Sequence, residues 1–241
     1  MTADPQNVPL ILASSSPRRK EILEAHGHDP IVIPADVDES IPEGRDFTPE
    51  ELTIYLAELK AATVFDTLCP DEWPRGCTIL GVDTIVYKDR VIGKPVDEAD
   101  ALDILRSLKN GSHEVISGVC IIRARRDDHP SRSSCADGDS AGGDSAGGDS
   151  SIHARRDDAP GGQATLVIAE KSMFHDTTTV RFGDYSDEEI IEYVRANPPY
   201  DKSGSYAIQS AWGRHVLEMD GDIENVIGLP YKKLSAYLTA H

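Results

Sequence analysis

The chain has no run approaching the ~18 consecutive apolar residues that a membrane-spanning helix needs, so no membrane partner is expected. Cysteine is scarce. Cys69, Cys77, Cys120 and Cys135 form neither a CxxC pair nor a zinc-type spacing, which leaves isolated reduced thiols as their reading. Positive charge is short as well: 24 Lys and Arg face 42 Asp and Glu, for a formal net charge of -18. That balance argues against a nucleic-acid partner, because non-specific binding to a polyanion depends on a basic surface. An anionic small molecule is still compatible with it, provided a local basic patch receives the ligand and a metal ion offsets the surrounding charge. Met1 to Pro9 carries neither a basic stretch nor a long apolar run, so no secretory leader is expected and the cytoplasm is the default location. Ser-His-Asp, HExxH, Walker-type and GxGxxG patterns are all missing.

The 39% hydrophobic content suffices for a core, and residues 1–241 read as one domain with one foreign segment. Ser131 to Ser151 repeats the unit Gly-Asp-Ser-Ala-Gly and offers only Ala and Cys as apolar side chains. Such a stretch buries too little surface to offset the entropy of ordering it. Ala-Arg-Arg-Asp-Asp occurs on both sides, at Ala124–Asp128 and Ala154–Asp158, as in a local duplication. About residues 125–162 are therefore expected to be a disordered surface insertion between two strands.

The remainder alternates strand and helix signals, which predicts an α/β fold. Pro9 to Ser14 reads as a buried strand, and Cys77 to Val82 as a second. Thr84–Tyr87 and Val91-Ile92 flank a hairpin turn at Lys88-Asp89-Arg90. Val115–Ile122 and Leu166–Met173 read as strands that embrace the insertion. Capping boxes at Thr48-Pro49-Glu50-Glu51 and Ser186-Asp187-Glu188-Glu189 open two helices. Asp97–Leu108 and Tyr231–Ala240 read as two more.

Ser14-Ser15-Ser16-Pro17-Arg18-Arg19-Lys20 is built for an anion. Ser16 suits an N-cap, Pro17 the first helical position, and Gly27 a stop. The first turn then carries Arg18, Arg19 and Lys20, the wrong sign for a helix N-terminus, which favours negative charge by ~0.3–1 kcal/mol per group. Either these cations are simply solvated, or an anion sits among them, held by backbone N–H groups, serine hydroxyls and guanidiniums.

Gly81-Val82-Asp83-Thr84 sets a carboxylate at the expected end of a strand, where it is a turn residue or a functional acid. Gly93-Lys94-Pro95 presents a lysine on a stiff loop, and Asp36-Val37-Asp38-Glu39 supplies three more carboxylates. Phosphoanhydride hydrolysis needs an oriented water, a divalent cation and positive charge on the phosphate oxygens. Asp83 is the candidate base or metal ligand, Glu39 a metal ligand, and Lys94 with Arg18 charge stabilisers. Lys60 lies beside the apolar face of its helix, as a snorkelling surface lysine would. Asp201 to Gln209 adds Lys202 and a glutamine amide able to both donate and accept, which suits the edge of a pyrimidine ring.

Together these segments resemble the Maf family of nucleotide pyrophosphatases. The matching blocks are LILASSSPRRKEIL, DVDES, LAELKA, ILGVDTIV, IGKP, HEVISGVCI, DKSGSYAIQS and ENVIGLP, in order from Leu10 to Pro230. The resemblance implies a two-lobed α/β fold with a long mixed sheet and a central cleft, similar to that of inosine-triphosphate pyrophosphatases. It implies a nucleotide diphosphatase that cleaves dTTP and UTP, or modified pyrimidine triphosphates, between the α and β phosphates, with Mg²⁺ or Mn²⁺ and commonly as a homodimer. Asp83 matches the family's catalytic Asp. Arg19, Thr84 and Gln209 match the positions that separate the dTTP/UTP subfamily from one acting on 7-methyl-GTP. Ser14, Ser16, Arg18, Arg19, Lys60, Thr84, Lys202 and Gln209 are then the expected substrate-binding set, Asp83 and Lys94 the catalytic pair, and Glu39 and Asp83 the metal ligands. Ser203 and Ser205 depart from the usual Ala, and Ser210 from a common Gly. A purine-specific relative and a non-catalytic nucleotide-binding regulator of cell division are the alternatives.

Overall fold

A computed structural model describes residues 8–41, 44–128 and 164–239. Strands β1 (Leu10–Leu12), β2 (Ile31–Val32), β3 (Cys77–Lys88), β4 (Arg90–Ile92), β5 (Ser112–Asp127), β6 (Thr165–Phe182) and β7 (Val216–Asp220) form one mixed sheet. Its order is β2-β1-β3-β5-β6-β7, with β4 also on β3. The β1 pairings with β2 and β3 are parallel, and the remaining pairings are antiparallel. The helices are α1 (Pro17–Ala25), α2 (Pro49–Thr67), α3 (Glu98–Leu108), α4 (Asp187–Ala196), α5 (Ile223–Ile227) and α6 (Tyr231–Leu238). The expected α/β class and long mixed sheet are both present.

Local chemistry explains the helix starts. Thr48 and Ser186 form the two expected capping boxes with Glu51 and Glu189. At α3 the Asp97 side chain accepts from the Asp100 N–H, at 2.9 Å. Ser16 occupies the N-cap position of α1, but its side chain makes no capping bond. Ser14 acts instead, its hydroxyl accepting from the Ser16 N–H at 3.2 Å. Gly27, at φ 84°, takes the turn after α1, a conformation that glycine adopts without a Cβ penalty.

The long strands β3, β5 and β6 carry two lobes. At one end the sheet is covered on both faces. Ala57, Ala61 and Val64 of α2 pack with Ile11, Ile79 and Cys120, while Leu23 of α1 and Leu234 of α6 pack with Leu12, Leu80 and Val119. At the other end Leu105 and Leu108 of α3 and Ile190 and Val194 of α4 enclose Val86, Val115, Phe182 and Trp212. Burying such side chains stabilises by about 1.5–3 kcal/mol each, so three clusters, two on opposite faces of one end and one at the other, hold two lobes on one sheet.

Two boundaries differ from the sequence reading. The expected strand end at Val82 is not an end: β3 runs on through Asp83 to Lys88, paired with β5 from Cys77 to Tyr87. Asp83 therefore lies mid-strand. It faces a cleft because the other edge of β3 changes partner there: β1 pairs with Thr78–Leu80, β4 pairs only from Val86, and the stretch between has no strand beside it among the described residues. Arg125–Asp127, expected to lie within the insertion, instead pair with Thr165–Val167 as the end of β5 and the start of β6. Residues 129–162 of that segment lie outside the described residues.

Candidate active site

The uncovered edge of β3 opens into a cavity of about 250 Å³. Ser14, Ser16, Arg18, Arg19, Glu39, Lys60, Asp83, Thr84, Lys94, Lys202 and Gln209 all line it, so every candidate from the sequence reaches one place. Val86, Val115, Tyr206, Ala207, Val226 and Ile227 add less polar surface to its walls.

Two glycines place Lys60 over Asp83. A Cβ on Gly81 would lie 2.1 Å from the Ala57 carbonyl oxygen, and one on Gly118 would lie 2.2 Å from the Thr53 carbonyl carbon. Helix α2 thus rests on bare backbone at the point where Asp83 and Gly118 pair across β3 and β5. From there Lys60 Nζ donates to Asp83 Oδ1 at 2.5 Å and pairs with Glu39 Oε1 at 2.8 Å. Lys60 is buried, at 9% exposure, and is no snorkelling surface residue; Asp83 is 7% exposed. Burial acts against ionisation of Glu39, but Lys60, Lys94 and Arg19 outweigh it and hold the carboxyl below its ordinary value.

Arg19 is tethered to protein atoms on three sides. Its Nε donates to the Gly228 carbonyl at 2.8 Å, Nη1 to Ser14 Oγ at 2.9 Å and Nη2 to Thr84 Oγ1 at 3.1 Å. A guanidinium carries five N–H groups, so two more are available to a ligand. Burial pushes this group below its usual value, and the nearby Asp83 carboxylate opposes the shift. Two of the three subfamily positions, Arg19 and Thr84, are therefore in direct contact, while Gln209 lies exposed on the cavity wall.

Arg18 and Lys202 meet a carboxylate that sequence reasoning did not nominate. Arg18 Nη1 donates to Asp201 Oδ2 at 2.8 Å, and Lys202 Nζ to Asp201 Oδ1 at 2.5 Å. Adjacency to Lys202 was its only signal, and an acid in a phosphate site reads as repulsion. The three unusual serines divide. Ser203 Oγ donates to the Thr84 carbonyl at 3.1 Å, and Ser210 Oγ donates to the Ala207 carbonyl at 2.6 Å. Ser205 Oγ is buried without a partner among the described residues.

The donor set suits a hard divalent cation. Two carboxylates, Glu39 and Asp83, converge on the single position now served by the Lys60 ammonium. No group of three or more His, Cys, Asp or Glu side chains that could hold a metal occurs among the described residues. Mg²⁺ is commonly bound in that way, by one or two carboxylates, with phosphate and water completing its shell.

The chain is similar to known proteins over nearly all of its length. The Maf-like protein family model matches residues 9–138 and 162–241, so its gap falls inside the expected insertion. The dTTP/UTP pyrophosphatase of Alkaliphilus metalliredigens is 35% identical over 232 residues, which is 96% of this chain and 95% of the relative. Those of Caldicellulosiruptor bescii and Geobacillus sp. are 34% and 32% identical, covering 95% and 93% of this chain and 92% and 93% of theirs. A solved dITP/XTP pyrophosphatase from Mycobacterium abscessus covers 96% of this chain and 95% of its own, but 11% identity and a TM-score of 0.30 are too weak to bear on the fold. On the family match along both halves of the sequence and these relatives over nearly all of it, the chain belongs to the Maf family.

Proposed function

We propose that the chain hydrolyses dTTP and UTP to the nucleoside monophosphate and pyrophosphate. The observation that carries this is the cavity at the free edge of β3, where Arg18, Arg19, Lys94 and Lys202 share one space with the Lys60–Asp83–Glu39 cluster. The printed names of the relatives supply the nucleotide class.

In this reading the triphosphate lies along Ser14–Arg19. The free N–H groups of Arg19, with Arg18, Lys94 and Lys202, neutralise its oxygens. Lys60 holds Asp83 through Oδ1, which leaves Oδ2 to take a proton from water. The water oxygen forms a bond to the α-phosphorus while the bond to the bridging oxygen breaks, and that oxygen leaves with pyrophosphate. Glu39 and Asp83 would hold a Mg²⁺ or Mn²⁺ ion, which supplies charge neutralisation and Lewis acidity when bound. Gln209 and the apolar wall are the candidates for reading the base.

Pyrophosphate release from dTTP, UTP and 7-methyl-GTP, each with Mn²⁺, tests the reaction and its specificity. The two pyrimidine nucleotides are expected to turn over well and the methylated purine poorly. Asp83→Asn should lose about 10²-fold or more in kcat while retaining nucleotide binding. Full turnover by that variant would remove Asp83 from the chemistry. A chain that binds nucleotide and releases no pyrophosphate would be a regulator instead.

A further inference from the structure

The polar groups behind Arg19 form a closed ring that the reaction above does not use. Arg19 Nη2 donates to Thr84 Oγ1, which is 2.9 Å from Ser117 Oγ. Ser117 Oγ donates to the Asn225 main-chain oxygen at 3.4 Å. Helix α5 then leads from Asn225 to Gly228, whose carbonyl accepts from Arg19 Nε at 2.8 Å. Asn225 fixes the ring to the sheet. Its side chain is fully buried, and Nδ2 donates to the Val115 carbonyl on β5 at 2.9 Å and to Thr178 Oγ1 on β6 at 3.1 Å. Thr178 Oγ1 in turn donates to the Asp222 carbonyl at the start of α5, at 3.0 Å.

Oδ1 is buried with no partner among the described residues, so the two Nδ2 bonds are what hold the amide on β5 and β6, and through them Asn225 sets where α5 sits. The position of α5 matters because Gly228 supplies the oxygen that orients the guanidinium. Without that oxygen, Arg19 keeps its charge but loses one of three tethers. We infer that Asn225 is a positioning residue for phosphate binding, acting through the Gly228 carbonyl on Arg19 and touching no ligand itself. The inference rests on the proposed reading of the cavity as a polyphosphate site.

The test is a double-mutant cycle on the full chain, with Asn225→Ala, Arg19→Lys and the combination. Tripolyphosphate binding by calorimetry and the KM and kcat for dTTP are measured below the melting transition of every variant. Asn225→Ala is expected to weaken tripolyphosphate binding about tenfold and to raise KM by a similar factor, with kcat less affected. Arg19→Lys should also weaken binding, because an ammonium cannot reproduce the guanidinium fork. The combined variant should bind no more weakly than Arg19→Lys alone, since Asn225 has nothing left to orient. Additive losses would show that Asn225 only supports the fold and would overturn the inference, as would wild-type binding by Asn225→Ala. Should Asn225→Ala not melt cooperatively, Thr178→Val takes its place in the same cycle. A wild-type chain that binds tripolyphosphate but leaves dTTP intact would sink the proposed reaction and still let the cycle decide Asn225. A wild type that does not bind tripolyphosphate overturns both.

Discussion

Arg19 Nη2 donates to Thr84 Oγ1 across 3.1 Å, joining the start of α1 to the uncovered edge of β3. The bond also connects two elements of the cavity wall that are 65 residues apart. Thr84→Val keeps the shape and removes the hydroxyl, which leaves Arg19 and Ser117 each short of a partner. We expect a loss of about 1–2 kcal/mol in urea unfolding and a raised KM for dTTP. Unchanged stability and KM together would mean that the hydroxyl is dispensable to both the wall and the ligand.

Lys60 makes the two ends of its ion cluster unequal. It is one cation facing the two carboxylates Asp83 and Glu39. Lys60→Met takes from the buried Asp83 carboxylate its ion-pair partner, while the more open Glu39 keeps the pull of Lys94 and Arg19; Asp83→Asn leaves Lys60 still paired with Glu39. We expect Lys60→Met to cost about 1–3 kcal/mol and Asp83→Asn distinctly less, although both should abolish most turnover. Chemical unfolding of the two variants side by side checks this. Equal destabilisation would mean that solvent in the cleft screens the cluster fully.

The cleft residues were legible in the sequence because their chemistry conflicts with their local structure. Three cations in the first turn of α1 ask for an anion, and an acid beside Gly81 asks for a reason. What the sequence could not show is why Asp83 faces a cleft from mid-strand. That depends on where β1 and β4 stop along one edge of β3, a matter of pairing between distant segments. Helical spacing likewise does not separate a buried Lys60 from a snorkelling surface lysine, since it does not reveal that α2 descends onto Gly81 and Gly118. Asn225 sits in the ENVIGLP block, but the partners of its side chain lie 110 and 47 residues away, beyond the reach of any local pattern.

The descent of α2 onto the sheet can be tested directly. A Cβ at position 118 would sit 2.2 Å from the Thr53 carbonyl carbon, which is main chain and cannot rotate aside. Gly118→Ala should therefore lift α2 and carry Lys60 away from Asp83. We expect destabilisation of about 1–3 kcal/mol together with a fall in kcat. Gly27→Ala serves as the contrast: its Cβ would meet nothing within 4 Å, so backbone strain at φ 84° is its only cost and kcat should hold.

His113 makes the pH dependence of stability predictable. It is 2% exposed on β5, and its Nε2 lies 2.8 Å from the Tyr206 hydroxyl. Its Nδ1 is buried with no partner among the described residues. Burial, with a smaller push from the Lys88 charge, brings the imidazole down from 6.5 to about 4. Between those values the unfolded chain binds the proton and the folded chain does not. The contribution is therefore fully present above about pH 6.5 and is lost as the pH falls through about 4. Its size is on the order of 3 kcal/mol. His28 and His215 are also lowered by burial and act in the same direction, so the wild-type slope is a sum. His113→Gln keeps a polar group near Tyr206 and removes the titration. Melting temperatures taken from pH 7 to pH 4 should fall less steeply for this variant than for the wild type. Parallel curves would show that His113 is already charged in the folded protein, or that water reaches it.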